Sequence, residues 1–110
     1  MLKFGAKLQL CEPTLAARQA MAEQIVAATG ANLIHPFDNA DVMAGQGTLA
    51  LELLEQVPEL DVVVCPIGGG GLSRGVAVAA HVVDARIQVL GAEPAGADDA
   101  RRSRGACWPG

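Results

Sequence analysis

The chain carries four consecutive glycines, Gly68 to Gly71, between two strongly apolar segments. Before them, Asp61 to Ile67 is a β-branched run that predicts a strand covered on both faces. After them, the Ala- and Val-rich segment Leu72 to Val83 predicts a buried helix that is apolar nearly all round. Glycine accepts positive φ angles and allows a ligand to approach the backbone closely. The sequence therefore predicts a strand, a tight turn and a helix in direct succession.

The rest of the sequence predicts an alternation of strands and helices. Thr14 is placed to cap a first helix that ends at Gly30, and Pro58 ends a second helix that begins near Gly45. Predicted strands cover residues 6–11, 32–34, 61–67 and 87–90. This order is typical of βαβ units, so the predicted fold class is α/β, with a parallel sheet in a Rossmann-like three-layer half-domain.

The length of 110 residues suits one domain, which we place at residues 1–100 as a partial α/β domain. The last ten residues, 101–110, carry three Arg, two Gly and a lone Trp without periodicity. Such a segment is predicted to be disordered or loosely docked.

Charge and composition argue against several classes of partner. The net charge is −4 and the basic residues are scattered before the tail, which argues against nucleic acid. No signal peptide or bilayer-length apolar stretch is visible, so no membrane association is expected. Cys11, Cys65 and Cys107 are odd in number and widely spaced, without metal-ligand spacing. They are predicted to be small buried hydrophobes of a cytoplasmic protein.

A glycine turn at a helix start is suited to bind an anion, and phosphate is the commonest one. Gly75 is followed by Val76 and Ala77 rather than by Lys and Ser or Thr, which argues against a Walker A loop and nucleotide triphosphate binding. A dinucleotide site remains an alternative through the looser spacing of Gly69, Gly71 and Gly75, with Glu93 as the ribose-binding acid. The third class is pyridoxal phosphate, whose monophosphate a glycine turn holds alone.

Five motifs separate these classes. They are Cys11-Glu12-Pro13-Thr14, His35-Pro36-Phe37-Asp38, Ala44-Gly45-Gln46-Gly47-Thr48, Pro66-Ile67-Gly68-Gly69-Gly70-Gly71-Leu72 and Gly91-Ala92-Glu93-Pro94. In this order and spacing the sequence resembles the fold-type II pyridoxal-phosphate enzymes, specifically the serine/threonine dehydratase and serine racemase group. The resemblance spans roughly residues 5 to 100.

The resemblance implies two binding sites. The backbone amides of Gly68, Gly69, Gly70, Gly71 and Leu72 would cradle the cofactor phosphate. Glu93, the carbonyl of Ala97 and Asp99 would match the ligands of a divalent cation in racemase-like members, and such oxygen ligands suit Mg²⁺ or Ca²⁺.

Two residues of the His35 motif differ in what they imply. At Phe37, racemase-like relatives often carry an Asn that touches the cofactor ring, and the Phe-Asp pair is more similar to the dehydratases. For His35 we prefer a role in loop packing to one in acid/base chemistry.

The family's reactive lysine has no counterpart in this sequence. Members attach the cofactor to a lysine in a Ser-x-Lys setting, whereas the only lysines here are Lys3 and Lys7. Because that lysine supports covalent and proton-transfer steps, we expect the chain alone to be inactive, with no catalytic residue. The sequence predicts a truncated piece of a dehydratase or racemase that keeps the phosphate-binding turn. The alternative is an interaction module that forms a homo-oligomer through exposed edges.

Overall fold

The computed structural model of the chain describes residues 2–107, and side chains over residues 3–103. The chain divides into two compact units, of which the first ends at Ile34 and the second begins at His35. Within the described residues, no helix combines the length and the apolar character needed to cross a bilayer. The glycine turn lies in the second unit, so the fold of that unit positions the site.

The first unit contains a short 3-10 helix, Leu2–Phe4, and helix α1, Leu15–Thr29. The Thr14 hydroxyl accepts a hydrogen bond from the Ala17 amide at 3.2 Å, as expected for an N-cap. Gly30 ends the helix with a φ of 70°, a left-handed conformation that favours glycine. The boundaries predicted for this helix are confirmed at both ends.

Both strands predicted in the first unit, residues 6–11 and 32–34, are wrong. Neither segment has strand structure, and every residue in both is exposed. A strand needs a hydrogen-bonded neighbour, and among the described residues neither segment has one. The prediction for Cys11 is also wrong, because its side chain is exposed rather than buried.

The second unit is built around one βαβ unit. Strands β1 and β2 pair in parallel, with Val62 opposite Gln88 and Pro66 opposite Ala92, and helix α3 makes the crossover between them. The elements are α2 (Ala40–Gln56), β1 (Val62–Pro66), α3 (Gly71–Val83), β2 (Gln88–Ala92) and α4 (Asp99–Cys107). The prediction of an α/β fold with a parallel sheet is confirmed.

Helix α2 begins at Ala40, five residues before the predicted start at Gly45. The cap is Asn39, whose side-chain oxygen accepts a hydrogen bond from the Val42 amide at 3.0 Å. Gly45 has a poor helix propensity, so the sequence did not predict that the helix continues through Gly45 from a start at Ala40.

Strand β1 is buried on one face only. Val63 and Cys65 point into the core, and burial raises the pKa of the Cys65 thiol. On the other face Val62 and Val64 are exposed, so the prediction of a strand covered on both faces is wrong for this chain. The open face also leaves the predicted three-layer arrangement incomplete in the described residues.

Helix α3 is likewise buried along one stripe, formed by Gly71, Gly75, Val76 and Ala80. Valines on its outer side are exposed, so the prediction of burial nearly all round is wrong. The core of the unit consists of Ala50, Leu54, Val63, Cys65, Val76, Ala80 and Ile87.

Helices α2 and α3 cross in close backbone contact at Gly47 and Gly75. A Cβ atom added to Gly75 would lie 2.7 Å from the Gly47 nitrogen and closer still to the Met43 carbonyl oxygen. Both neighbours are backbone atoms that cannot rotate away. Glycine at position 75 is therefore a packing requirement that fixes α3 against α2.

Helix α4 occupies part of the segment predicted to be a disordered or loosely docked tail. Residues 101–107 are helical, and residues 108–110 lie outside the described residues. Whether the tail is loosely docked stays a prediction. The proposed domain boundary at residue 100 stays a prediction.

We predict that Gly75→Ala lowers the free energy of unfolding by about 1–3 kcal/mol, because the added methyl group overpacks the helix crossing. The matched control is Gly45→Ala in α2, where a Cβ atom has no neighbour within 4 Å. This substitution should raise stability by about 0.5–1 kcal/mol through helix propensity. Urea unfolding followed by far-UV circular dichroism measures both, and equal effects of the two substitutions would contradict the account of the crossing.

Candidate functional site

The backbone of the glycine turn adopts conformations that favour glycine at two positions. Gly68 has a φ of 51° and Gly70 a φ of 90°, both in the left-handed region. The Gly70 amide donates a hydrogen bond to the Ile67 carbonyl at 2.9 Å and closes the turn. The Ile67 amide in turn donates to the Ala92 carbonyl at 3.3 Å. This bond joins the turn to the last residue of strand β2.

Four of the five amides predicted to cradle an anion have no acceptor among the described residues. They belong to Gly68, Gly69, Gly71 and Leu72, whereas the Gly70 amide is used in closing the turn. Gly71 is buried, and a buried N–H group without an acceptor is rare in proteins unless a ligand or water satisfies it. The turn is therefore suited to bind an anion, with Gly70 shaping the backbone rather than donating.

The start of helix α3 adds to this character. Gly70 is the N-cap, and its carbonyl accepts hydrogen bonds from the Arg74 amide at 3.0 Å and the Ser73 hydroxyl at 3.2 Å. These contacts fix the first turn of the helix. The positive end of the helix dipole then lies at the glycine amides, where it favours negative charge.

Phe37 packs directly against the glycine turn. A Cβ atom on Gly69 would collide with the Phe37 ring, 2.7 Å from its Cε1, and one on Gly71 would lie 3.0 Å from the Phe37 Cα. No local pattern in the sequence predicts this contact, because the residues that make it are far apart along the chain. Gly69 and Gly71 are thus required for the close approach of the Phe37 loop, although neither has a positive φ.

The Phe37 loop is held by His35. Its ring meets the Phe37 ring edge to face, with centroids 4.5 Å apart, and its Nδ1 accepts a hydrogen bond from the Asp38 amide at 2.9 Å. His35 therefore packs the loop, as predicted from the sequence.

The turn opens into a cleft of about 350 Å³, which is lined on one side by the turn and α3 and on the other by α4. Its lining residues are Ile67, Gly68, Gly69, Gly70, Ser73, Arg74, Asp99, Ala100 and Ser103. The volume is at the lower end of the range for small-molecule sites and is ample for a phosphate group. Neither Ser73 nor Arg74 was predicted as a site residue, although their spacing from Gly70 places both on the first turn of α3.

Glu93, predicted as a cation ligand, has another role in the structure. Its two carboxylate oxygens accept hydrogen bonds from the Ala100 and Arg101 amides, each at 3.1 Å. The carboxylate therefore caps the N-terminus of α4 and interacts favourably with the helix dipole.

Two further residues of that loop also have partners. The Asp99 carboxylate accepts from the Arg102 guanidinium at 3.0 Å, and Asp98 pairs with the same side chain at 3.0 Å. No group of three His, Cys, Asp or Glu suited to a metal occurs in the part of the chain that the structure describes. These contacts do not test whether Glu93, the Ala97 carbonyl and Asp99 bind a divalent cation, so cation binding there stays a prediction.

Comparison with known proteins agrees with the geometry of the turn. Residues 1–108 match the family model described as pyridoxal-phosphate dependent enzyme. The chain is 45% identical over 104 residues to a serine racemase of Arabidopsis thaliana, and the match covers 94% of this chain and 31% of that protein.

Solved structures give the same result. The structure of maize serine racemase superposes with a TM-score of 0.92 at 43% identity, covering 96% of this chain and 32% of that one. A threonine deaminase from T.th. superposes with a TM-score of 0.87 at 42% identity, covering 94% of this chain and 35% of that one. The chain thus spans about a third of the length of the proteins it matches.

Proposed function

Because the chain belongs to the pyridoxal-phosphate-dependent enzyme family, we propose that its glycine turn holds the phosphate of pyridoxal phosphate. The amides of Gly68, Gly69, Gly71 and Leu72 donate to the phosphate oxygens, and Gly70 shapes the turn. The single observation that carries this proposal is the set of four amides at a helix start that have no acceptor in the described part of the chain. When bound, pyridoxal phosphate supplies an electron sink for reactions at the α-carbon of amino acids.

This chain supplies the phosphate half of such a site. Both of its lysines, Lys3 and Lys7, are exposed and belong to the first unit, so the unit that contains the glycine turn has no lysine. We therefore propose that the 110-residue chain binds the cofactor reversibly and performs no turnover alone. Since relatives include serine racemases and threonine deaminases, the parent reaction we propose removes the α-proton of L-serine or L-threonine.

The test is to titrate the chain with pyridoxal phosphate, inorganic phosphate, pyridoxal and NAD, using calorimetry. Both phosphate ligands should bind, whereas pyridoxal and NAD should give no heat, because the turn recognises a terminal monophosphate. Gly69→Ala should weaken binding about tenfold, since its methyl group displaces Phe37 and distorts the turn. Gly45→Ala serves as the control and should bind like the wild type.

Treatment of the cofactor-loaded chain with borohydride completes this test. We expect no stable adduct on Lys3 or Lys7 in the mass spectrum. A stoichiometric reduced adduct at either lysine would contradict binding through the phosphate alone, because it would show an imine between that lysine and the cofactor. Binding of NAD instead of phosphate would favour the dinucleotide alternative.

A second candidate function is self-association, favoured by the open face of the sheet. Val64 and Leu90 lie opposite each other in the strand register, and with Val62 they form an exposed apolar patch. Within the described residues, each strand of the two-stranded sheet also has one unpaired edge. Such edges and patches promote pairing with another copy of the chain.

Sedimentation velocity over a range of concentrations tests this candidate. The wild type should form a dimer or larger species, and Val64→Lys should shift it toward the monomer by placing a charge in the patch. The control is Arg18→Lys on exposed helix α1, which preserves charge and should leave the association unchanged. A wild type that stays monomeric at the highest concentration would contradict self-association.

A further inference from the structure

Arg74 lies one helical turn beyond Gly70, at a position that directs its side chain toward the glycine turn. In a helix the Cα–Cβ bond tilts toward the N-terminus, so a long side chain covers the preceding turn. The Arg74 Nε lies 3.5 Å from the place that a Cβ atom on Gly70 would occupy. Arg74 also lines the cleft into which the glycine turn opens.

The guanidinium of Arg74 has no carboxylate partner among the described residues. The one acidic residue that lines the same cleft is Asp99, and its carboxylate accepts from Arg102. Within the part of the chain that the structure describes, the cleft therefore combines four amides that lack an acceptor with a guanidinium that lacks a carboxylate partner. Both features favour an anion, and they differ in kind: one is a set of backbone amides and the other is a charged side chain.

We propose that Arg74 is an additional ligand of the bound phosphate, which it contacts through its guanidinium. This inference rests on the proposed function of the glycine turn and adds a charged donor to its neutral amides. Backbone amides are neutral donors, whereas an Arg–phosphate pair is a charge-assisted hydrogen bond and is about twice as strong as a neutral one. Arg74 then gives the site a preference for the phosphate dianion and an affinity that falls with salt.

The experiment compares the wild type with Arg74→Gln, Arg74→Lys and Arg86→Gln. Pyridoxal phosphate and inorganic phosphate serve as probes in calorimetric titrations at low and high salt. Arg86→Gln is the matched control, because it removes the same charge just before β2, at the opposite end of the sheet from the glycine turn. Circular dichroism of each variant checks that the helices are retained.

We expect Arg74→Gln to weaken binding of both probes about fivefold at low salt, the size of one exposed charge-assisted contact. Its affinity should also depend less steeply on salt than that of the wild type. Arg74→Lys should recover part of the loss, because it keeps the charge without the planar fork. Arg86→Gln should bind like the wild type.

Three results would overturn the inference, and they are distinguishable. If wild type and Arg74→Gln bind both probes equally and with the same salt dependence, the role of Arg74 is refuted while the function of the glycine turn stands. If the wild type binds neither probe, the proposed function fails and the role of Arg74 fails with it. Equal losses in Arg74→Gln and Arg86→Gln would reduce the effect to net charge and also refute a direct contact.

Discussion

The left-handed backbone at Gly68 and Gly70 is the constraint on which the site depends. These two conformations end strand β1, let the Gly70 amide close the turn on Ile67, and start helix α3 within four residues. The remaining amides of the turn then lie at the positive end of the helix, and among the residues described they have no acceptor. A side chain at either position would strain this geometry, so the chemistry of the site follows from the absence of side chains there.

Packing around the turn depends on a second set of glycines. Gly75 lets α3 approach α2 at the backbone, and Gly69 and Gly71 leave room for Phe37, which His35 supports. The glycine-rich character of the sequence therefore has two physical causes. Some glycines are needed for their φ angles, and others for the space that a methyl group would fill.

Local signals in the sequence predicted local structure well. The Thr14 cap, the end of α1 at Gly30 and the strand–turn–helix around the tetraglycine segment all depend on residues close in sequence. The motifs also predicted the enzyme family. Most of the errors are non-local: strands at residues 6–11 and 32–34 lack a pairing partner among the described residues, and the outer face of β1 lacks a cover there. The start of α2 is a local error, because its Asn39 cap lies close in sequence. The contact of Glu93 with the start of α4 was also missed, because no pattern in the sequence predicts that its carboxylate caps that helix.

The measurement that tests the central claim most directly is a phosphate titration followed by heteronuclear NMR on the nitrogen-labelled chain. If the turn binds the anion through its backbone, the largest amide shifts should belong to Gly68, Gly69, Gly71 and Leu72, and the Gly70 amide should move less. Shifts confined to the Ala100 and Arg101 amides of α4, or none in the glycine turn at saturating phosphate, would contradict the account.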